Sequence, residues 1–268
     1  MTTNLSNLTI NFIRPGGNDT ALIQGDPDNQ TRTKINQKIL KTYKNIEQVG
    51  FYTVNNQKNL ASLTMAGEEF CGNAARALAF LILKGKEGNL NLRVSGSSKV
   101  LEARVLENGQ VSCQMPIYKT FSCIKEIGEN LYLVKLRGIK FLITKLSKAS
   151  NPVELKSLAK SMLARNNLLT TCKASGVIFT NTLSGSEISI QPIVWVRKIQ
   201  TLFLETACAS GSSCIAMLLA KENGAKEVEI TVEQPSKKIL KVTVCKYNNG
   251  FQSCVICGPV EKINTKYV

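Results

Sequence analysis

Cys71 and Cys208 are the residues best placed for chemistry. Cys71 opens the run Cys71-Gly72-Asn73, Cys208 opens Cys208-Ala209-Ser210-Gly211, and each leads into an apolar stretch of helical length, Ala74 to Lys84 and Ser212 to Lys221. Small, straight-chain composition of this kind favours helix. A helix N-terminus presents N–H groups without acceptors and a partial positive charge. Both effects lower a thiol's pKa from its usual value of about 8.5 and hold a nearby carboxylate. Gly72, Ala209 and Gly211 let the backbone approach a ligand closely. If the two helix ends meet, an α-carboxylate can sit between them with one sulfur on each face of Cα. One thiolate then removes the α-proton while the opposite thiol delivers another, and the configuration inverts. Enolate charge developing in a dry cleft would meet two helix dipoles, so the chemistry calls for neither cofactor nor metal.

The elements that must position these thiols occur twice. After Cys71 the helix is broken at Lys86-Glu87-Gly88-Asn89. A strand at Leu90 to Val94, a Ser95-Gly96-Ser97-Ser98 turn, a strand at Lys99 to Leu106, an Asn108-Gly109 hairpin and a strand ending at Met115-Pro116 follow. After Cys208 the helix stops at Asn223-Gly224. Then come a strand at Val228 to Val232, a Gln234-Pro235-Ser236 turn, a strand at Lys238 to Val244, an Asn249-Gly250 hairpin and a strand ending at Gly258-Pro259. Upstream, Val49 to Asn55 echoes Ser175 to Asn181. The expectation is an α+β fold of two pseudo-symmetric domains, each a mostly antiparallel sheet around a central helix, with the active site in the cleft between them. The first domain spans residues 1–118, rejoined by 260–268, and the second 119–259, with the join in an irregular stretch from Ile117 to Glu129. Cysteines in apolar surroundings are usually small core residues, and Cys113, Cys172, Cys214 and Cys245 are read so. Two thiols at matching positions of a repeat are a different matter.

Composition removes other classes. The 268 residues contain no histidine, which excludes imidazole catalysis, the commonest zinc ligand and any Ser-His or Cys-His pair. Nine cysteines form an odd, scattered set better read as free thiols than as disulfides. Cys254 and Cys257 lie three apart in a strand-like run and point to opposite faces, so no metal site is expected there. The net charge of +15 is spread along the chain, without a nucleic-acid motif and with only 6% aromatics for base stacking. That argues against nucleic-acid binding and for a general attraction to anionic metabolites. A mean hydropathy of -0.03, no apolar run of spanning length and a start, Met1-Thr2-Thr3-Asn4, without an apolar leader lead to the expectation of a cytoplasmic protein that binds no membrane.

Several motifs are similar to those of the diaminopimelate epimerase fold family. Phe70-Cys71-Gly72-Asn73-Ala74-Ala75-Arg76 resembles that family's Cys-Gly-Asn-Gly-x-Arg, Ala207-Cys208-Ala209-Ser210-Gly211 its Ala-Cys-Gly-Thr-Gly, and Gly16-Gly17-Asn18-Asp19 its Gly-x-Gly-Asn-Asp. Within it, Glu47-Gln48-Val49-Gly50-Phe51, Gly67 to Asn73, Val94-Ser95-Gly96, Gln191-Pro192 and Ile199-Gln200 resemble the histidine racemases of staphylopine-type metallophore pathways. Ile199 and Gln200 replace the Glu-Arg pair of diaminopimelate epimerases, and Arg137-Gly138-Ile139-Lys140 their Gly-Asn-Pro-His.

The resemblance implies a cofactor-independent racemase with a small free amino acid as its partner and Cys71 and Cys208 as acid and base. It implies substrate contacts at Asn18, Asn73 and the helix starts Gly72, Ala209, Ser210 and Gly211. Glu47 and Glu205 become candidates for holding the α-ammonium or an imidazole, against the reading of either as a surface carboxylate. Histidine is the expected substrate; diaminopimelate or another basic amino acid is the alternative, and an isomerase of unsaturated acids or a non-catalytic binding protein stands further back. A homodimer is left open.

Overall fold

The computed structural model describes residues 8–146, 151–185 and 187–263. Met1 to Asn4 and the end of the returning tail, 264–268, lie outside these. The first half runs β1 (Ile10–Pro15), β2 (Asp19–Gln24), α1 (Asn29–Thr42), β3 (Ile46–Asn55), β4 (Leu60–Met65), α2 (Gly72–Ile82), β5 (Gly88–Val94), β6 (Val100–Val105) and β7 (Val111–Gln114). The second runs β8 (Ile124–Gly128), β9 (Leu131–Leu136), β10 (Ile139–Lys145), α3 (Pro152–Arg165), α4 (Leu168–Thr171), β11 (Ala174–Thr180), β12 (Glu187–Val196), β13 (Thr201–Leu204), α5 (Ala209–Glu222), β14 (Glu227–Glu233), β15 (Ile239–Tyr247) and β16 (Gly250–Gly258). β17 (Val260–Lys262) closes the described chain. The architecture is mixed α+β, with extensive sheet and few helices.

Strand pairing follows one succession in both halves. β1 and β2 are antiparallel, β2 and β3 parallel, β3 and β4 antiparallel, β4 and β5 parallel, and β5–β6–β7 antiparallel. β9 and β10 begin the same order, which passes through β11, β12 and β14 to end in the antiparallel β14–β15–β16. Each parallel step needs a crossover, and the crossovers carry the helices: α1 and α2 in the first half, α3 and α5 in the second. β7 pairs with β16, and β17 returns to β1 with Ile13 opposite Lys262.

Alternation along the strands puts one face of the sheet against each helix. Ala21 and Ile23 pack with Ile35 and Ile39 of α1, whereas Leu22 between them joins the main core around α2. Likewise Leu142 faces α3, and its neighbours Phe141 and Ile143 face inward. The main core takes side chains from both halves and encloses α2 and α5, whose first turns are buried on all sides. Each fully buried Leu, Ile or Phe in it contributes roughly 1.5–3 kcal/mol. No described helix is long and apolar enough to cross a membrane.

Three sequence expectations need correction. The stretch Ile117 to Glu129 is not wholly irregular, because Ile124–Gly128 forms β8 against β9. The second hairpin turns at Asn248-Asn249, with Asn248 in the left-handed region and Gly250 already paired with Tyr247. Cys245 is half-buried and donates to Glu227, unlike the buried Cys113, Cys172 and Cys214.

Candidate active site

Cys71 and Cys208 are the N-cap residues of α2 and α5, in nearly the same backbone conformation: φ −131°, ψ 111° and φ −136°, ψ 98°. Each Sγ accepts an N–H three residues on, from Ala74 and Gly211, both at 3.3 Å. Caps are usually Ser, Thr, Asp or Asn, so a sulfur in that role places a polarisable acceptor at the positive end of a helix. The first-turn residues Gly72, Asn73, Ala209 and Ser210 line the same cavity as the two thiols. Gly72 has a steric reason to be glycine, since a Cβ there would lie 2.9 Å from the Ala209 methyl and 3.1 Å from Met115. The two helix ends abut at this point.

Glu47 and Glu205 also line the cavity, and both are held by more than one partner. Glu47 accepts the Asn18 amide at 2.7 Å and the Thr206 N–H, with the Thr206 hydroxyl against its other oxygen. Glu205 accepts from Gln48 Nε2 at 2.9 Å and is hydrogen-bonded to Cys208, while the Cys71 thiol donates to Gln48 Oε1. A continuous chain therefore runs Cys71–Gln48–Glu205–Cys208. Asn18 and Gly211 do not reach the cavity wall: Asn18 stands behind Glu47, and Gly211 supplies its N–H to Cys208. Asn73 reaches it, but its amide is engaged by the Ala207 carbonyl at 2.7 Å and by Arg76 at 3.1 Å.

Four residues of this neighbourhood were not singled out as site residues from the sequence. Gln48 links the thiols, and buried Gln234 pins the Cys208 N–H at 2.9 Å while donating to Ser212. Glu69 and Thr201 line the cavity. The family resemblance offered a signal for Gln48 and Glu69 through the motifs Glu47 to Phe51 and Gly67 to Asn73; Gln234 and Thr201 are single polar residues outside those motifs.

The electrostatics depart from the expected lowering of the thiol pKa. Burial pushes both thiols up, the Glu205 carboxylate pushes them further, and the N–H groups of Ala74 and Gly211 recover only part of the difference. The carboxyls rise as well, chiefly by burial: Glu47 to about 8, Glu69 to about 7 and Glu205 to about 7. Three carboxylates crowd one dry space, an arrangement that a bound cation relieves. The cavity offers about 30 Å3, which admits water and not an amino acid. No group of three or more His, Cys, Asp or Glu able to hold a metal ion exists among the described residues.

A sequence model described as the histidine racemase CntK N-terminal domain matches residues 9–265. The chain belongs to the histidine racemase family. A histidine racemase of Fusobacterium nucleatum subsp. nucleatum is 31% identical to it over 223 residues, covering 78% of this chain and 79% of that protein. A histidine racemase of Staphylococcus aureus is 24% identical over 252 residues, 90% of each. Among solved structures, a probable proline racemase from Agrobacterium radiobacter shares the fold at a TM-score of 0.68 and 12% identity, covering 96% of this chain and 92% of its own. A hydroxyproline epimerase from Agrobacterium vitis does so at 0.66 and 12%, covering 96% and 89%. As a member of the histidine racemase family, the chain is an isomerase.

Proposed function

We propose that this protein interconverts L- and D-histidine without a cofactor, using Cys71 and Cys208 as a thiolate–thiol pair. The observation that carries the reading is the pair itself: two sulfurs, capping two abutting helices, that line one cavity. A thiolate takes the α-proton, the C–H electron pair moves into the carboxylate, and the other thiol gives its proton to the opposite face. The first-turn N–H groups of both helices hold the carboxylate as it gains charge. Glu47 and Glu205 receive the ammonium. The reaction leaves thiol and thiolate exchanged, and Glu205, bonded to Cys208, can take or return that sulfur's proton. The recurring order of strand pairings supports two pseudo-symmetric units of the diaminopimelate epimerase kind, residues 1–118 with 260–268 and residues 119–259. Diaminopimelate itself fits poorly, because its distal carboxylate would enter a space already crowded by Glu69.

The test is incubation of reduced, chelator-dialysed protein with L-histidine in deuterated water. Inversion with α-deuteration is expected, without added pyridoxal phosphate. Cys71→Ser and Cys208→Ser should each lose inversion by several orders of magnitude, because members of a catalytic unit are not additive. Each should retain slow exchange into one enantiomer only, opposite in the two variants. Wild-type inversion rates in either variant would end the two-thiol assignment.

A further inference from the structure

Two polar groups of the cavity wall are left over by this chemistry. Among the described residues, the buried side-chain N and O atoms without a hydrogen-bond partner belong to Arg32, Glu69, Arg76, Arg137 and Thr201. Of these, only Glu69 and Thr201 line the cavity. Glu69 is 7% exposed, and although the Gly67 and Glu69 N–H groups pull its pKa back in part, its Oε2 has no partner in hydrogen-bond geometry; an oxygen of this sort carries much of its desolvation cost unless a ligand meets it. Thr201 Oγ1 is the second orphan, on the strand that leads from Ile199 toward Glu205.

The backbone that presents Glu69 is firmly held. The Ser95 hydroxyl donates to the Glu69 carbonyl at 2.6 Å, and a Cβ on Gly96 would sit 2.6 Å from the Phe70 nitrogen. The run Val94-Ser95-Gly96, for which proton transfer has no use, thus acts as a buttress for this wall. Apolar side chains, Phe70, Val194, Val196 and Ile199, line the same cavity. Glu47 and Glu205 are already engaged by Asn18, Thr206, Gln48 and Cys208.

We infer that Glu69 and Thr201 form the side-chain recognition end of the site, reading the two nitrogens of an imidazole. Glu69 Oε2 accepts the ring N–H, the Thr201 hydroxyl donates to the other nitrogen, and the apolar side chains flank the ring. A planar ring with one donor and one acceptor nitrogen satisfies both orphans together. A primary ammonium would have to find acceptors for three N–H groups and would leave the Thr201 donor unused.

This inference rests on the histidine reading, and the experiment separates the two. Racemisation of L-histidine and of its two ring-N-methyl isomers is measured for the wild type, Glu69→Gln and Thr201→Val. The wild type should turn over histidine and discriminate about 10-fold or more between the two methyl isomers: a methyl on the nitrogen that faces Glu69 blocks that contact outright, whereas the isomer methylated on the other nitrogen still presents a ring N–H to Glu69 when its imidazole is protonated. Glu69→Gln should cost about 10- to 100-fold in kcat/KM for histidine, mainly in KM, and should erase the discrimination between isomers. Thr201→Val should reduce kcat/KM for histidine by a smaller factor. A structural role for Glu69 would instead depress all three substrates equally and keep the discrimination, and that result overturns the inference. Equal wild-type turnover of the two isomers overturns it as well. Absence of wild-type histidine turnover would bring down the proposed function itself.

Discussion

A buried carboxylate prefers its neutral form, and three of them in one cavity give the molecule a pH dependence whose sign is fixed. The folded-state pKa values of Glu47, Glu69 and Glu205, about 8, 7 and 7, lie above the ordinary carboxylate value of 4.5. A group whose pKa is raised by folding contributes stability that is fully present below its unfolded pKa and is lost as pH rises through its folded pKa. The ligand-free protein should therefore lose stability between about pH 5 and pH 8. Glu205→Gln removes one of these ionisations, so thermal melts at pH 5, 6.5 and 8 should show a shallower decline than the wild type. An unchanged slope would mean that Glu205 is not desolvated as its 5% exposure indicates. The residues of the site were unequally legible in the sequence. Cys71 and Cys208 stand out because residue type, helix start and repeat position all agree. Glu205 could equally have been a surface charge, and only the fold, which brings Gln48 to it across 157 positions, assigns it a role.

At the level of elements, the repeat carried most of the readable information. The strands around α2 and α5 follow their alternation closely because one face of each is buried, as in β6, where Leu101, Ala103 and Val105 are buried and their neighbours exposed. The helix after Cys71 ends at Ile82, two residues before the expected Lys84, because Lys84 and Gly85 turn left-handed and Gly85 N–H closes on the Phe80 carbonyl. β8 went unread because every residue after Ile124 is exposed, Lys125 and Glu126 among them, so no buried–exposed alternation marks it as a strand. The contact that makes one site out of two helices is also a matter of elements. Gly72→Ala adds a methyl group 2.9 Å from the Ala209 methyl, a contact that only movement of a helix end can relieve. Alanine suits a helix better than glycine by roughly 0.5–1 kcal/mol, so the variant should fold. Because a misplacement near 1 Å costs about 100-fold in rate, kcat for inversion should fall about 10- to 100-fold with the melting temperature nearly unchanged. Wild-type kcat in Gly72→Ala would show that the spacing of the helix ends does not set the reaction geometry.

For the molecule as a whole, the decisive quantity is the 30 Å3 cavity, which no amino acid can occupy until the walls part. The two walls come from different halves of the chain, and Glu68 ties them together. This residue sits at the left-handed position of the turn before Cys71, with φ 62°. Its carboxylate pairs with Lys198 at 3.0 Å and Lys173 at 3.7 Å from the second half, and with Arg32 of the first half at 3.4 Å. Lys198 holds the Glu68 carboxyl below its ordinary value, so it is charged at neutral pH. Its neighbour Glu69 and Lys198's neighbour Ile199 both line the cavity, which places these ion pairs at the seam that has to open. Partly exposed pairs of this kind are worth about 0–1 kcal/mol and weaken with salt. Removing them should therefore tilt the balance between open and closed forms by up to about 5-fold. If opening limits turnover, as release steps often do, Glu68→Gln should raise kcat by such a factor, and kcat/KM with it, because a free protein that opens more easily admits substrate more readily. Added salt should move the wild type in the same direction and leave the variant nearly unaffected. Steady-state kinetics of both proteins across a salt series test this, and parallel salt responses would show that Glu68 does not hold the cleft closed.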